Sequence, residues 1–137
     1  ANSNAKLVYT TVNNQAADLI VEGVSVTNAA SVTSPSKIDS TLKNHIATAS
    51  DAAGQKLADA VYAALKGNGN DAGLCIYYIS ANGDVIYAQW GEANNSGKAP
   101  MLGQYPNPST DAQYATNKPW GTTASPYSMN AAKTNWN

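Results

Sequence analysis

The stretch LCIYYISANGDVIYAQW, from Leu74 to Trp90, decides the fold. Two β-rich runs, LCIYYIS and VIYAQW, flank the dipeptide Asn82-Gly83. Asn-Gly suits the positive φ angles of a type I′ turn, whose twist matches that of paired strands, so the stretch reads as an antiparallel hairpin over 74–90. A two-residue loop sets the register: Ile79 opposite Ile86, Tyr77 opposite Ala88, Cys75 opposite Trp90. Alternation along a strand puts these six side chains on one face, the expected core face. The other face carries Ile76, Tyr78, Ser80, Val85, Tyr87 and Gln89, a half-polar set suited to partial exposure.

Upstream, the period changes from 2 to 3.6. Residues 3–22 read as a helix, because Ala5, Val8, Val12, Ala16 and Leu19 recur at steps of three and four, with Tyr9 and Ile20 extending the stripe. Lys6, Thr10, Asn13, Asn14 and Asp18 fall on the other sides. Asn2 or Ser3 is the candidate cap if the helix starts here, and Gly23 ends it. Residues 23–36 read as a loop with a short extended piece at Val24 to Thr27. Ser36 is the expected cap of a second helix from Lys37 to Thr48, on the spacing of Ile38, Leu42, His45 and Ile46. Ser50 or Asp51 caps a third helix over 51–66, with Leu57, Ala60, Val61, Ala64 and Leu65 as its stripe and Lys66 at its negative end. Downstream, residues 91–137 carry neither period and five of the six prolines. A short third strand is expected at Met101 to Tyr105. The remainder is too long for an ordinary loop, and its aromatics argue against full disorder.

The chain therefore reads as one α+β domain over 1–137: an amphipathic N-terminal helix packed on a small antiparallel sheet, additional helices within 37–66, and a long irregular C-terminal segment. At 137 residues one core is feasible. Charged residues make up 12%, about half the usual share, and the surface is instead Asn, Ser, Thr and Gln. With eight scattered lysines, no arginine and a net charge of −1, no basic patch is available for displacing counterions from phosphates, so nucleic-acid binding is not expected. No apolar run is long enough to span a bilayer. The neutral polar surface favours an exported protein, and the single Cys75 leaves no intrachain disulfide. The chain opens at Ala1 rather than Met, so residues are expected to precede it.

Chemistry-bearing residues are few. Cys75 and His45 are the one thiol–imidazole combination, but Cys75 sits on the predicted core face, where a cysteine behaves as a small hydrophobe. His45 has no second histidine or cysteine cluster with which to hold zinc. The segment GNGNDAG, 67–73, brings Asn68, Asn70 and Asp71 together but lacks calcium-loop spacing, and no Gly-Lys-Ser/Thr follows its glycines. The acids are dispersed, with Asp18, Asp51 and Asp84 assigned to a solvated face, a cap and a turn. No catalytic, cofactor or metal site is expected. The sequon Asn94-Asn95-Ser96 is read as chance.

The aromatics are the remaining candidates. Tyr78 and Tyr87 lie side by side on the outer face of the predicted hairpin, and Trp120, Tyr127 and Trp136 lie in the tail. Exposed rings of this kind stack on sugars. The competing expectation, which we favour, is that the tail folds over the outer face and buries them.

The N-terminal run ANSNAKLVYTTVNNQAADLIVEG resembles the outer half of the long first helix of type IV pilins and pseudopilins, particularly Gram-positive ones. NGDVIYAQW is similar to a strand pair of the same group. The likeness covers 1–25 and 73–90. It implies a missing upstream segment of about 25 apolar residues, enough to anchor the subunit in a bilayer before assembly. It implies a non-enzymatic, extracellular filament subunit whose partners are other pilin subunits, met through that segment and residues 1–22, with Leu7, Val8, Val12, Leu19 and Ile20 as the candidate helix assembly face. Membrane contact is expected only through the upstream segment. A host-surface or polysaccharide ligand, met by the exposed Tyr and Trp, is the alternative. The cysteine pair that closes the C-terminal loop of many Gram-negative relatives is absent.

Overall fold

The computed structural model describes residues 2–46, 48, 50–67, 73–91 and 102–106, and the structural statements below concern those residues. The fold is α+β. Helix α1 (Asn2–Val21) is followed by strand β1 (Val32–Lys37), helix α2 (Ala52–Gly67), and strands β2 (Leu74–Ile79), β3 (Val85–Gly91) and β4 (Leu102–Tyr105). The four strands form one antiparallel sheet in chain order, β1-β2-β3-β4. Helix α1 lies against β3 and β4 and beside α2, while α2 also packs on the 3-10 turns Asn28–Ala30 and Leu42–His45.

The expected stripe of α1 is the buried one: Ala5, Val8, Val12, Ala16 and Leu19 are all inside. The helix ends as a Schellman motif. Gly23, at φ +84°, donates its N–H to the Ile20 carbonyl (3.0 Å), and Val24 donates to that of Leu19 (2.9 Å). Both bonds satisfy carbonyls that the last turn leaves without helical donors, and glycine reaches the left-handed conformation without steric penalty. Val24 then packs beside the core. Ile20 departs from the expected stripe, at 48% exposure. At the other end of the helix, Asn2 Oδ1 accepts the N–H of Gln104 at 3.0 Å, which ties β4 to the helix start.

Helix α2 starts where its cap predicts. Asp51 Oδ1 accepts the N–H of Gly54 at 2.7 Å, and its carbonyl accepts that of Gln55. This is the N-cap to N3 geometry, so Asp51→Ala is expected to lower stability by about 1 kcal/mol. A urea midpoint unchanged in that variant would show the cap to be idle.

Three expectations are corrected. No α-helix spans 37–48: residues 32–37 form β1, and a 3-10 turn covers Leu42–His45. The spacing of Ile38, Leu42 and Ile46 does mark buried positions, since all three lie in the core. A helix does not follow, because Asp39 Oδ1 accepts both the N–H (2.7 Å) and the hydroxyl (2.6 Å) of Thr41. Such local side-chain bonds compete with helical ones. The hydroxyl bond, with the backbone bond second, also holds the Asp39 carboxyl below its ordinary pKa. The extended piece expected at Val24 to Thr27 is irregular, and the strand comes later, at β1. Its Pro35 is tolerated because β1 is an edge strand whose register skips between Val32 and Ser36. Where the chain enters β1, Ser31 Oγ accepts the N–H of Ile79 at 2.8 Å.

The hairpin register is the third correction. Cys75 faces Trp90 and Tyr77 faces Ala88 as expected, but Ile79 pairs with Val85 across a bulge. The turn is longer than two residues. Gly83 donates to the Ser80 carbonyl (3.0 Å), Ser80 donates to that of Asp84 (2.8 Å), and Ser80 Oγ accepts from the N–H groups of Asn82 and Asp84. Gly83, at φ +84°, therefore closes the turn rather than sitting at its centre. The bulge exchanges two neighbours: Val85 joins the core cluster, and Ile86 is half-buried outside it. The third strand expected at Met101 to Tyr105 is present as β4.

Candidate assembly and recognition surface

Two surfaces carry the candidate residues, namely the faces of α1 and the sheet face turned away from the helical core. Of the five residues proposed as an assembly face, Val8 and Val12 are 0% exposed and Leu19 1%. Removing each from water is worth about 2 kcal/mol to the fold. They are the core-facing side of α1 and are not free to meet a neighbour, which corrects their assignment. Leu7 is half-buried and packs on the core cluster. Only Ile20, with Val21 beside it at 87% exposure, presents apolar surface outward. The open face of α1 otherwise consists of Ser3, Lys6, Thr10, Asn13, Asn14, Ala17 and Asp18. Lys6 reaches Tyr105 on β4, its Nζ 5.6 Å from the ring centroid, and Tyr9 meets the same ring edge-on at 4.9 Å. Sequence reasoning missed this Lys6–Tyr9–Tyr105 contact because it depends on how β4 is placed.

On the sheet, Tyr78 and Tyr87 are directly opposed, their rings stacked at 6.0 Å and 13°. The side-by-side arrangement expected from the hairpin is present. Its openness is not, since Tyr87 is only 8% exposed while Tyr78 is half-buried. Burial, followed by the neighbouring Tyr78, raises the Tyr87 phenol pKa. Next along this face, Gln89 opposes Gln104, and the Gln89 side-chain amide donates to the Gln104 carbonyl oxygen at 2.8 Å, with both residues buried. Trp120, Tyr127 and Trp136 lie outside the described residues, as do Asn68, Asn70, Asp71 and the sequon at 94–96.

The reactive side chains offer little. Cys75 is fully buried, and desolvation pushes its thiol pKa up to about 12, the reverse of an activated thiolate. His45 is exposed at the end of its 3-10 turn. The Tyr77 hydroxyl and the Trp90 Nε1 are buried without a hydrogen-bond partner. Burial, then Cys75 and Asp59, holds the Tyr77 phenol well above its usual pKa. Among the described residues, no group of three or more His, Cys, Asp and Glu is placed to hold a metal ion, and no helix is long and apolar enough to cross a membrane.

These features define an α+β domain with a helix laid over an antiparallel sheet. No family model, curated protein or solved structure matches the chain.

Proposed function

We propose that the chain is the head of a non-enzymatic, extracellular filament subunit of the type IV pilin or pseudopilin kind, serving assembly, adhesion or motility at the cell surface. The observation that supports this most is α1. Its twenty residues put one face into the head's own core, while Ser3, Lys6, Thr10, Asn13, Asn14, Ala17, Asp18, Ile20 and Val21 remain outward along its whole length. A helix used this way can dock a head and present a repeated surface to neighbouring subunits without any chemistry. The subunit partners are met through an apolar segment upstream of Ala1 and through this outward face. The side carrying Val8, Val12 and Leu19 takes no part.

Immunogold electron microscopy of the source cells, with antibody raised to this domain, tests the reading. Label along surface filaments that disappears on deletion of the gene is the expected result. Label confined to the cell interior, or spread through the medium with no filament, would overturn it. The alternative is a carbohydrate-binding module; of its candidate rings Tyr78 and Tyr87, which lie among the described residues, Tyr78 is the partly open one.

A further inference from the structure

The turn between β2 and β3 contains Asn82-Gly83. Asn-Gly is also the dipeptide most prone to lose its side-chain amide, because glycine leaves the following peptide nitrogen unshielded. The reaction needs only base and water. A base takes the Gly83 N–H proton, the nitrogen attacks Cγ of Asn82, and the side-chain nitrogen leaves as ammonia. Water then opens the resulting cyclic imide at either carbonyl, giving aspartate or, with the backbone rerouted through the side chain, isoaspartate. No electron is transferred.

In this turn the two reacting groups have opposite surroundings. Asn82 is exposed, so base and water reach its side chain, whereas Gly83 is buried. The Gly83 N–H donates to the Ser80 carbonyl at 3.0 Å, so the proton the reaction must lose is the one the turn uses. Ser80 holds the same turn at three further points. Its N–H donates to the Asp84 carbonyl (2.8 Å), and its Oγ accepts the N–H groups of Asn82 (3.2 Å) and Asp84 (3.1 Å). The backbone at 83 is also closely seated. A Cβ there would stand 2.9 Å from the Val26 carbonyl oxygen and 3.1 Å from Ile20 Cδ1, which leaves little room for the shift that ring closure requires.

We propose that Asn82 is a deamidation site that the Ser80-centred turn keeps latent, reacting from the opened turn and not from the closed one. The isoaspartate product lengthens the backbone between 82 and 83 and adds a carboxylate close to Asp84, so the turn cannot close again on the same bonds. The conversion is one-way. The inference is independent of the pilin reading.

The full-length chain, folded or unfolded in guanidinium chloride, is incubated at the same mildly alkaline pH. Mass spectrometry then follows the chymotryptic peptide 79–87, which separates Asn82 from the second Asn-Gly at Asn68. Folded Asn82 is expected to react at least about ten-fold more slowly than unfolded, with hydrogen exchange at the Gly83 amide slowed by a similar factor, since both begin with removal of the same proton. Ser80→Ala deletes both Oγ bonds and is expected to raise the folded rate several-fold. Asp51→Ala, which weakens the start of α2 instead, should leave it nearly unchanged. The first two readings need no substitution, so they decide the matter even where Ser80→Ala fails to fold. Equal rates in the folded and unfolded chains, an unprotected Gly83 amide, no acceleration in folded Ser80→Ala, or an equal acceleration in Asp51→Ala would each overturn the proposal.

Discussion

Gly73→Ala is expected to lower stability by about 3 kcal/mol, a large share of what a domain of this size possesses. A Cβ at position 73 would stand 2.5 Å from Cζ2 of Trp90 and closer still to its Cε2 and Nε1. Real side-chain carbons do not approach a ring so closely, and the ring is planar and stiff. Trp90 is 9% exposed, and its strand position is fixed by pairing with both Cys75 and Gly103. The indole therefore has to leave its seat, forfeiting packing comparable with a truncation to a smaller residue. Urea unfolding followed by far-UV circular dichroism reads the loss. A double-mutant cycle identifies its cause: in a Trp90→Leu background the same alanine should cost much less, because the clashing ring is gone. Equal costs in both backgrounds would show that the glycine is needed for something other than the indole.

This contact also marks the boundary of what the sequence reveals. The alternation in 74–90 and the three-and-four spacing in α1 and α2 are repeated signals. Each identifies a buried stripe, and Ala5, Val8, Val12, Ala16 and Leu19 are buried as that spacing requires. Strand β1 is a different case. VTSPSK has one large apolar residue, Val32, and a proline, so its pattern is that of a loop, and only its edge position makes it a strand. Residues 37–48 carry genuine burial at Ile38, Leu42 and Ile46, but the Asp39–Thr41 bonds reshape the backbone beneath that spacing. Periodicity therefore located the buried positions without fixing the conformation that buries them.

The candidate surfaces divide in the same way. Opposition of Tyr78 and Tyr87 follows from the hairpin pairing up to the bulge, so it was legible. The burial of Tyr87 depends on what lies over the sheet, and strand alternation carries no information about that. For α1, the apolar residues that attract attention as an assembly face are the ones the head uses for its own core. The face available to partners is polar and has little sequence signature.

Stability is expected to fall by about 4 kcal/mol between pH 9 and pH 12 through Cys75 alone. The thiol is fully buried, and desolvation raises its pKa from 9.0 to about 12. Below pH 9 the folded and unfolded chains both keep the proton, so the thiol contributes no pH dependence. Between the two values the unfolded chain releases the proton and the folded chain retains it. The unfolded state then binds fewer protons, and stability falls as pH rises. Three units at 1.36 kcal/mol each give the figure. Tyr77 and Tyr87, both raised chiefly by burial, act with the same sign at the upper end. Urea titrations from pH 7 to pH 11 should show a midpoint that is flat to about pH 8.5 and then declines. Cys75→Ala is expected to lower stability modestly at pH 7, since the lost group is small, and to flatten the decline. Tyr77→Phe removes a buried hydroxyl that has no partner, so it should be neutral or stabilising at pH 7 and should also flatten the upper part of the curve. If the wild-type midpoint stays level to pH 11, or the Cys75→Ala slope matches it, the thiol does not sit in the dry interior described here. The remainder of the core-face assignment for β2 would then have to be revised with it, because Tyr77 and Ile79 share the side of the strand that Cys75 defines.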